Sequence, residues 1–205
     1  MKILGTGLSG LVGSRIVELL KPQHKFENIG YETGINITDR EGVIQAINAS
    51  DAPILFHFAA KTDVDSCEKD KVLGKDGEAW KINVLGTENV IEGCRKGKKK
   101  IIYVSTDFVF DGKKNSYEAY KETDIPNPLN WYGQTKYEAE KLIQSSDLEW
   151  VVVRIAYPYR AFFKRMDFVR SIMHRFQNKE SIEGVTDHIM SRNFIDDIGY
   201  SLKFI

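Results

Sequence analysis

Cysteine is almost missing: two residues in 205, Cys67 and Cys94, at no metal or redox spacing. That excludes a disulfide framework and reads as the reduced thiols of a cytoplasmic protein. Net charge is missing too, with 29 Lys plus Arg against 29 Asp plus Glu, so no global field recruits nucleic acid or a membrane surface. No segment reaches the ~20 consecutive apolar residues of a membrane helix. The start, MKILGTGLSG, has only a short apolar piece before its glycines and is not expected to be a signal peptide. His24, His57, His174 and His188 show no ligand spacing, so no metal site is expected. Internal repeats, low-complexity segments and long linkers are also lacking. The remainder is 42% hydrophobic and 28% charged, a balance that can bury one domain's core.

What is present alternates between strand and helix signals. Residues 2–4 are a short apolar start, and a glycine-rich turn leads into a helical pattern through Leu20 that Pro22 closes. Residues 25–29 read as a second strand. Thr38, Asp39, Arg40 and Glu41 open a helix with Val43, Ile44 and Ile47 on its apolar face. The run PILFHF (53–58) reads as a buried strand. A helix is expected over 77–94, with Gly97 capping its end. The run 101–104 stops at Ser105, Thr106 and Asp107; a helix behind a polar loop follows, opened by Asn127 and Pro128. The run WVVVRI (150–155) reads as another buried strand. Such alternation implies a doubly wound parallel α/β sheet with right-handed crossovers.

Two motifs point to chemistry. Gly5, Gly7 and Gly10 fit the dinucleotide fingerprint, and Gly7, Gly10 and Gly13 fit an overlapping, wider-spaced one. Their setting between first strand and first helix is what phosphate binding requires: close backbone approach and free N–H groups at a helix start. The second motif is Tyr-x-x-x-Lys, which occurs three times. Tyr117 and Lys121 lie in a polar loop. Tyr137 and Lys141 sit about 140° around the helix from Tyr132 and Lys136. Tyr132, Lys136, Ala139 and Ile143 form the stripe that looks inward, so Tyr132 and Lys136 are the chosen pair. With Thr106 at the carboxyl end of a strand, the three residues would converge on one pocket, where open α/β sheets bind ligands. A phenol is a poor acid–base catalyst at its ordinary pKa near ~10, and an adjacent ammonium with an oxidised nicotinamide ring pulls it toward neutrality. Tyr132 would give a proton to a carbonyl oxygen as hydride arrives, Thr106 would polarise that oxygen, and Lys136 would hold the nicotinamide ribose.

The chain resembles the extended short-chain dehydrogenase/reductase superfamily, and within it the dTDP-4-dehydrorhamnose reductases. The resemblance is carried by GLSGLVG (7–13), NITD (36–39), FAAKTDVDSCE (58–68), INVLGTENV (82–90), STDFVFDG (105–112), YGQTK (132–136), RIAYPY (154–159) and a weaker VTDHIMSRNFIDDI (185–198). It implies a Rossmann-type doubly wound sheet over 1–205, with 157–205 contributing part of a substrate lobe, and relatives that continue beyond Ile205. It also implies NADPH or NADH as cofactor and a dTDP-linked 4-keto-6-deoxy sugar nucleotide as substrate. Leu11 and Val12 would lie near the pyrophosphate, Asn36 and Ile37 by the adenine, and Ala59, Ala60 and Lys61 along the cofactor trough. Asn83 would support the sheet end behind the site. Val64, Asp107, Phe108 and Tyr157 would face the sugar nucleotide. Relatives often have Tyr where Phe108 stands and Trp where Tyr157 stands, which leaves the exact sugar open. Glu27 and Glu32 follow or lie within the second strand as candidate ribose ligands, which leaves the choice of NADH or NADPH open as well.

Rival readings accompany this one. A sugar-nucleotide epimerase or dehydratase shares the motifs, and a non-catalytic regulatory subunit, as of methionine adenosyltransferase, shares the fold. Other features take a plain reading. The cations Arg95, Lys96, Lys98, Lys99 and Lys100 suit a helix C-terminus and a solvated turn. His57 is expected as a satisfied core histidine, and Asp63, Asp65 and Glu68 as a polar loop at the substrate mouth. The stripe Phe162, Met166, Val169 and Met173 is expected in the core or in a subunit contact, such as that of a homodimer.

Overall fold

Alternation within each strand decides how the molecule is layered. In β1 (Lys2–Thr6), Ile3 points to one face and Leu4 to the other; in β3 (Ile54–His57), Leu55 and Phe56 divide in the same way. The computed structural model describes residues 1–115, 118–184, 186 and 188–204. With β2 (Lys25–Ile29), β4 (Lys100–Thr106) and β5 (Trp150–Ile155) the strands form one parallel sheet in the order β2-β1-β3-β4-β5. Leu4 lies beside Leu55, and Leu55 beside Ile101. This is the doubly wound α/β architecture expected from the sequence, and its order reverses between β1 and β3, where such sheets open a crevice.

One face buries Leu4, Leu55, Ile101 and Tyr103 under α2 (Arg40–Ala49), α5 (Gly86–Gly97) and α6 (Trp131–Gln144). The other buries Ile3, Phe56 and Ile102 under α1 (Leu11–Leu20) and α8 (Ile195–Ser201). Shorter helices α3 (Val64–Asp70) and α4 (Glu78–Trp80) lie between β3 and α5, and α7 (Phe168–Gln177) precedes α8. The segment after β5 therefore returns to the half of the sheet that carries the glycine-rich turn and α1. Ile195, Ile198 and Leu202 enter the core, Arg15 bonds Asp196 at 2.7 Å, and Arg160 bonds Glu18 at 2.7 Å.

Several boundaries differ from the sequence reading. The helix of Tyr132 starts at Trp131, capped by Asn130, whose Oδ1 accepts from the Gly133 N–H at 2.8 Å. Asn127 is not the cap, because its side chain bonds Asp111 at 3.0 Å and its N–H bonds the Val109 carbonyl at 2.8 Å, tying the loop to the end of β4. Asn130→Ala is expected to cost about 1 kcal/mol in a denaturant melt, with Asn127→Ala leaving the helix intact. At the end of α5 it is Lys98, not Gly97, that turns left-handed, with φ 49°. The five-residue π turn Lys81–Leu85 interrupts the helix expected over 77–94. β5 is half-buried rather than buried, because it ends the sheet and Trp150 stands 40% exposed. The stripe after β5 is not core: Phe162 is 81% exposed, and Met166 and Met173 are 54% exposed.

Candidate active site

Gly133 explains how a helix reaches a strand end. A Cβ there would lie 2.3 Å from the Phe108 carbonyl oxygen, so only glycine lets the first turn of α6 press against the turn that follows β4. That turn, Asp107–Val109, is capped by Thr106, whose Oγ1 accepts from the Phe108 N–H at 3.2 Å and donates to Asp107 Oδ1 at 3.1 Å. The start of α6 is tied down further by the Trp131 N–H, which donates to Glu68 at 2.7 Å, and by the stacking of Trp131 on Trp80. Glu68 and Asp63 are thus helix anchors rather than a mouth loop: Asp63 caps α3 through the Ser66 N–H at 2.7 Å.

Tyr132 is brought close enough to Thr106 for that hydroxyl to act on its phenol. Its ring packs beside Cys67, Ala79 and Val64, and the edge of Phe108 meets it at 5.9 Å between centroids. Burial raises its pKa above the ordinary phenol value, with the nearby Thr106 hydroxyl pulling the other way. The adjacent ammonium has not depressed it, because Lys136 is directed elsewhere. Lys136 Nζ donates to the Val104 carbonyl at 2.8 Å and lies over the Tyr103 ring at 4.1 Å. Burial pulls the pKa of Lys136 down to about 7, while the Glu140 carboxylate one turn on works against that shift. Glu140 is fully buried and held by Arg154 at 2.7 and 3.0 Å, a pairing the sequence reading missed. Tyr137 and Lys141 share the outer side, where Lys141 pairs with Glu138 at 2.7 Å. Tyr117 lies outside the described residues, as do Val185 and Asp187 of the last motif.

The π turn before α5 has a local use. It carries Asn83, whose Oδ1 accepts from the Lys61 N–H at 2.8 Å and whose Nδ2 donates to the Lys61 carbonyl at 3.1 Å and to Thr135 at 2.9 Å. Asn83 therefore clamps the loop after β3 to the helix that carries Tyr132 and Lys136, an arrangement π turns often serve. Behind it lies a buried chain of hydroxyls around His57. Thr87 spends its hydrogen on the Asn83 carbonyl at 2.7 Å, so it must accept from His57 Nε2 at 3.0 Å. His57 Nδ1 is then the acceptor, and the Thr6 hydroxyl donates to it at 2.6 Å. Every partner is satisfied only when the imidazole is neutral.

In the glycine-rich turn, Gly7 takes φ +67°, and a Cβ there would lie 2.6 Å from the Ala59 nitrogen. A Cβ on Gly13 would lie 2.5 Å from the Gly7 carbonyl oxygen, so α1 packs directly on the loop. No side chain caps α1 at Gly10 and no acid stands in its first turn, so its N–H groups fit a pyrophosphate. Leu11 and Val12 are half-buried there, packed on the core. Ala59 donates its N–H to Thr6 Oγ1 at 3.3 Å, Ala60 follows on the same loop, and the Lys61 ammonium is turned to Glu78. Asn36 closes its own turn by accepting from the Thr38 N–H at 3.0 Å. The Ile37 side chain faces the core against Gly86, which leaves only its backbone toward any adenine.

Beyond Phe108 opens a cleft of about 810 Å³ lined by Asp107, Phe108, Arg154, His188 and Asn193. Tyr157 faces Phe108 at 6.1 Å with φ 41°, and its hydroxyl lies 3.4 Å from His188. Burial raises the pKa of Asp107. Among the described residues no group of His, Cys, Asp and Glu is placed to hold a metal ion, and no helix is long and apolar enough to cross a membrane. Both cysteines are free and buried, and burial pushes their thiols up, Cys67 to about 11 and Cys94 to about 12. The cations at the end of α5 and just past it are largely engaged: Arg95 with Asp147, Lys96 with Glu92, and Lys99 with the carbonyls of Ser50 and Ala52.

Comparison with known proteins places the fold among known relatives. The dTDP-4-dehydrorhamnose reductase of Aggregatibacter actinomycetemcomitans is 28% identical over 96% of this chain and 64% of its own length. The methionine adenosyltransferase 2 subunit beta of Mus musculus is 29% identical over 88% of this chain and 54% of its own length. The chain thus spans a little over half to about two thirds of these curated relatives. A crystal structure of dTDP-4-dehydrorhamnose reductase from Bacillus anthracis in complex with NADP matches with a TM-score of 0.88 at 28% identity, over 99% of this chain and 69% of that one. The family model described as the RmlD substrate binding domain matches residues 1–200, and the chain belongs to that family.

Proposed function

We propose that this chain carries the reductase half-site of an NAD(P)H-dependent oxidoreductase acting on a 4-keto-6-deoxy sugar nucleotide, with Tyr132 as proton donor. The observation that supports this best is the convergence of Thr106, Tyr132 and Lys136 where α6 presses on the carboxyl end of β4. When bound, the nicotinamide cofactor supplies the hydride. Burial keeps the Tyr132 phenol protonated, the form that gives a proton to the carbonyl oxygen as it becomes an alkoxide. The Thr106 hydroxyl, engaged with Asp107, turns to that oxygen and orients it. Lys136 has one proton on Val104 and keeps the others for the ribose hydroxyls, while Asn83 and Thr135 fix the helix that carries it. Asp107, Phe108, Tyr157 and Val64 line the side from which the sugar nucleotide enters.

Titration with NADH and NADPH followed by a dTDP-4-keto-6-deoxy sugar tests the reading by nicotinamide absorbance. Consumption of reduced cofactor only when the sugar is present is the expected result. The relation to methionine adenosyltransferase 2 subunit beta favours a second reading, a nucleotide-binding regulatory subunit. Cofactor binding without consumption, together with copurification of a larger enzyme, supports that reading instead.

A further inference from the structure

Three charged side chains run in series from the Tyr132 helix to the edge of the sheet. Lys136 and Glu140 stand one turn apart on α6 and are both buried, and Arg154 of β5 closes the row. The Arg154 guanidinium donates to both carboxylate oxygens of Glu140, from Nε at 3.0 Å and from Nη2 at 2.7 Å. It also lies over the Phe110 ring at 5.0 Å, and Phe110 is stacked on Tyr120 at 4.3 Å. In register Arg154 sits beside Ser105, the neighbour of Val104, whose carbonyl accepts from Lys136 Nζ at 2.8 Å. Ammonium and carboxylate are thus anchored on adjacent strands, one residue apart.

The other groups around Lys136 are neutral. The Tyr103 ring of β4 lies against its ammonium, and burial keeps that phenol and the Tyr132 phenol protonated. His57 of β3 is neutral in the donor order that Thr87 sets. An ammonium buried in such company loses its proton readily unless a carboxylate opposes it. Among the described residues the carboxylate that acts on Lys136 is that of Glu140.

We infer that Glu140, locked by Arg154, is a positioning residue that keeps the Lys136 ammonium charged and available to the ribose hydroxyls of the cofactor. The inference rests on reading Lys136 as the ribose ligand of the proposed reaction. A buried pair that served packing alone could be exchanged for apolar side chains of similar bulk without effect on Lys136.

The test is an NMR titration of the ligand-free chain carrying ¹³C at the lysine Cε, with the Lys136 signal assigned by Lys136→Arg. Its midpoint in the parent chain is expected at about 7. Glu140→Leu combined with Arg154→Met removes both charges, so the fold holds neither one unpaired. The midpoint is then expected to fall by about one unit or more. Arg154→Met alone leaves the carboxylate and is expected not to lower it. An unchanged midpoint in the double variant, or an equal fall with Arg154→Met alone, would overturn the inference and leave the reductase reading in place. Calorimetry with NADH and NADPH gives a second readout. The double variant should bind about fivefold more weakly than the parent at pH 7 and about equally at pH 5, where Lys136 is charged in both. Equal weakening at the two pH values would also overturn the inference. Binding of neither nucleotide by the parent chain would overturn the reductase reading itself, and the role of Glu140 with it.

Discussion

Tyr132→Phe is expected to lower turnover of the keto-sugar nucleotide by roughly 10²–10⁴-fold, the usual contribution of a positioned acid, while nicotinamide binding changes little. The substitution removes one oxygen and keeps the ring that packs against Cys67, Ala79 and Phe108. The fold around Gly133 and the Asn130 cap therefore stays as it is. Because the phenol acts on the developing alkoxide, the loss should fall on kcat rather than on KM. Steady-state kinetics beside a cofactor titration separate the two. Turnover retained within a few-fold would remove Tyr132 from the mechanism, and loss of cofactor binding would mean that the phenol supports the trough instead.

Acid should destabilise this fold in a window set by His57. The imidazole is fully buried between Thr6 and Thr87, and its pKa is lowered from 6.5 to about 3 by burial and by the charge of Lys136. Between those values the unfolded chain takes up a proton that the folded chain refuses. Stability is therefore fully present above pH 6.5 and falls as pH drops toward 3, at about 1.4 kcal/mol per pH unit for one group. Denaturant melts at pH 6.5 and pH 5 isolate the effect from most carboxylates and should differ by about 2 kcal/mol. His57→Asn lowers stability at both values but should flatten the slope. An unchanged slope would mean that His57 is protonated in the native state, contrary to the donor order fixed by Thr87 and Asn83.

Legibility followed the range of the interactions. Strands β1, β3 and β4 show in the sequence as apolar runs because burial on both faces demands them, and Gly7 and Gly13 show because backbone crowding there admits nothing else. The inward pair Tyr132 and Lys136 separates from Tyr137 and Lys141 by helical periodicity alone. Caps were harder. Asn127 with Pro128 looks like a helix start, yet only Asn130 has the Gly133 N–H within reach, and Asn127 is engaged by Asp111 across the loop. Lys98 turns left-handed although Gly97 stands beside it, and no single-residue preference marks that choice. The buried pair of Glu140 and Arg154, the Asn83 clamp and the donor order around His57 join residues far apart in the chain, so neither spacing nor composition signals them. For Phe162, Met166 and Met173 the expectation was core or subunit contact, and their exposure removes the core alternative, because helical apolar spacing marks a face without saying what covers it.

The sheet order has a kinetic consequence. All four pairings are parallel, so no neighbouring strands can meet through a hairpin. Each pairing waits for a crossover to close, and Ile54 can meet Lys100 only after α3, α4, the π turn and α5 have been traversed. Chain entropy is lost before the contacts that offset it form, which places such topologies among the slower folders. During that delay the apolar strand of Ile101, Ile102 and Tyr103 lies open on both faces and both edges. Refolding yield should therefore depend on protein concentration in a way that the finished molecule, with those three side chains sealed, does not.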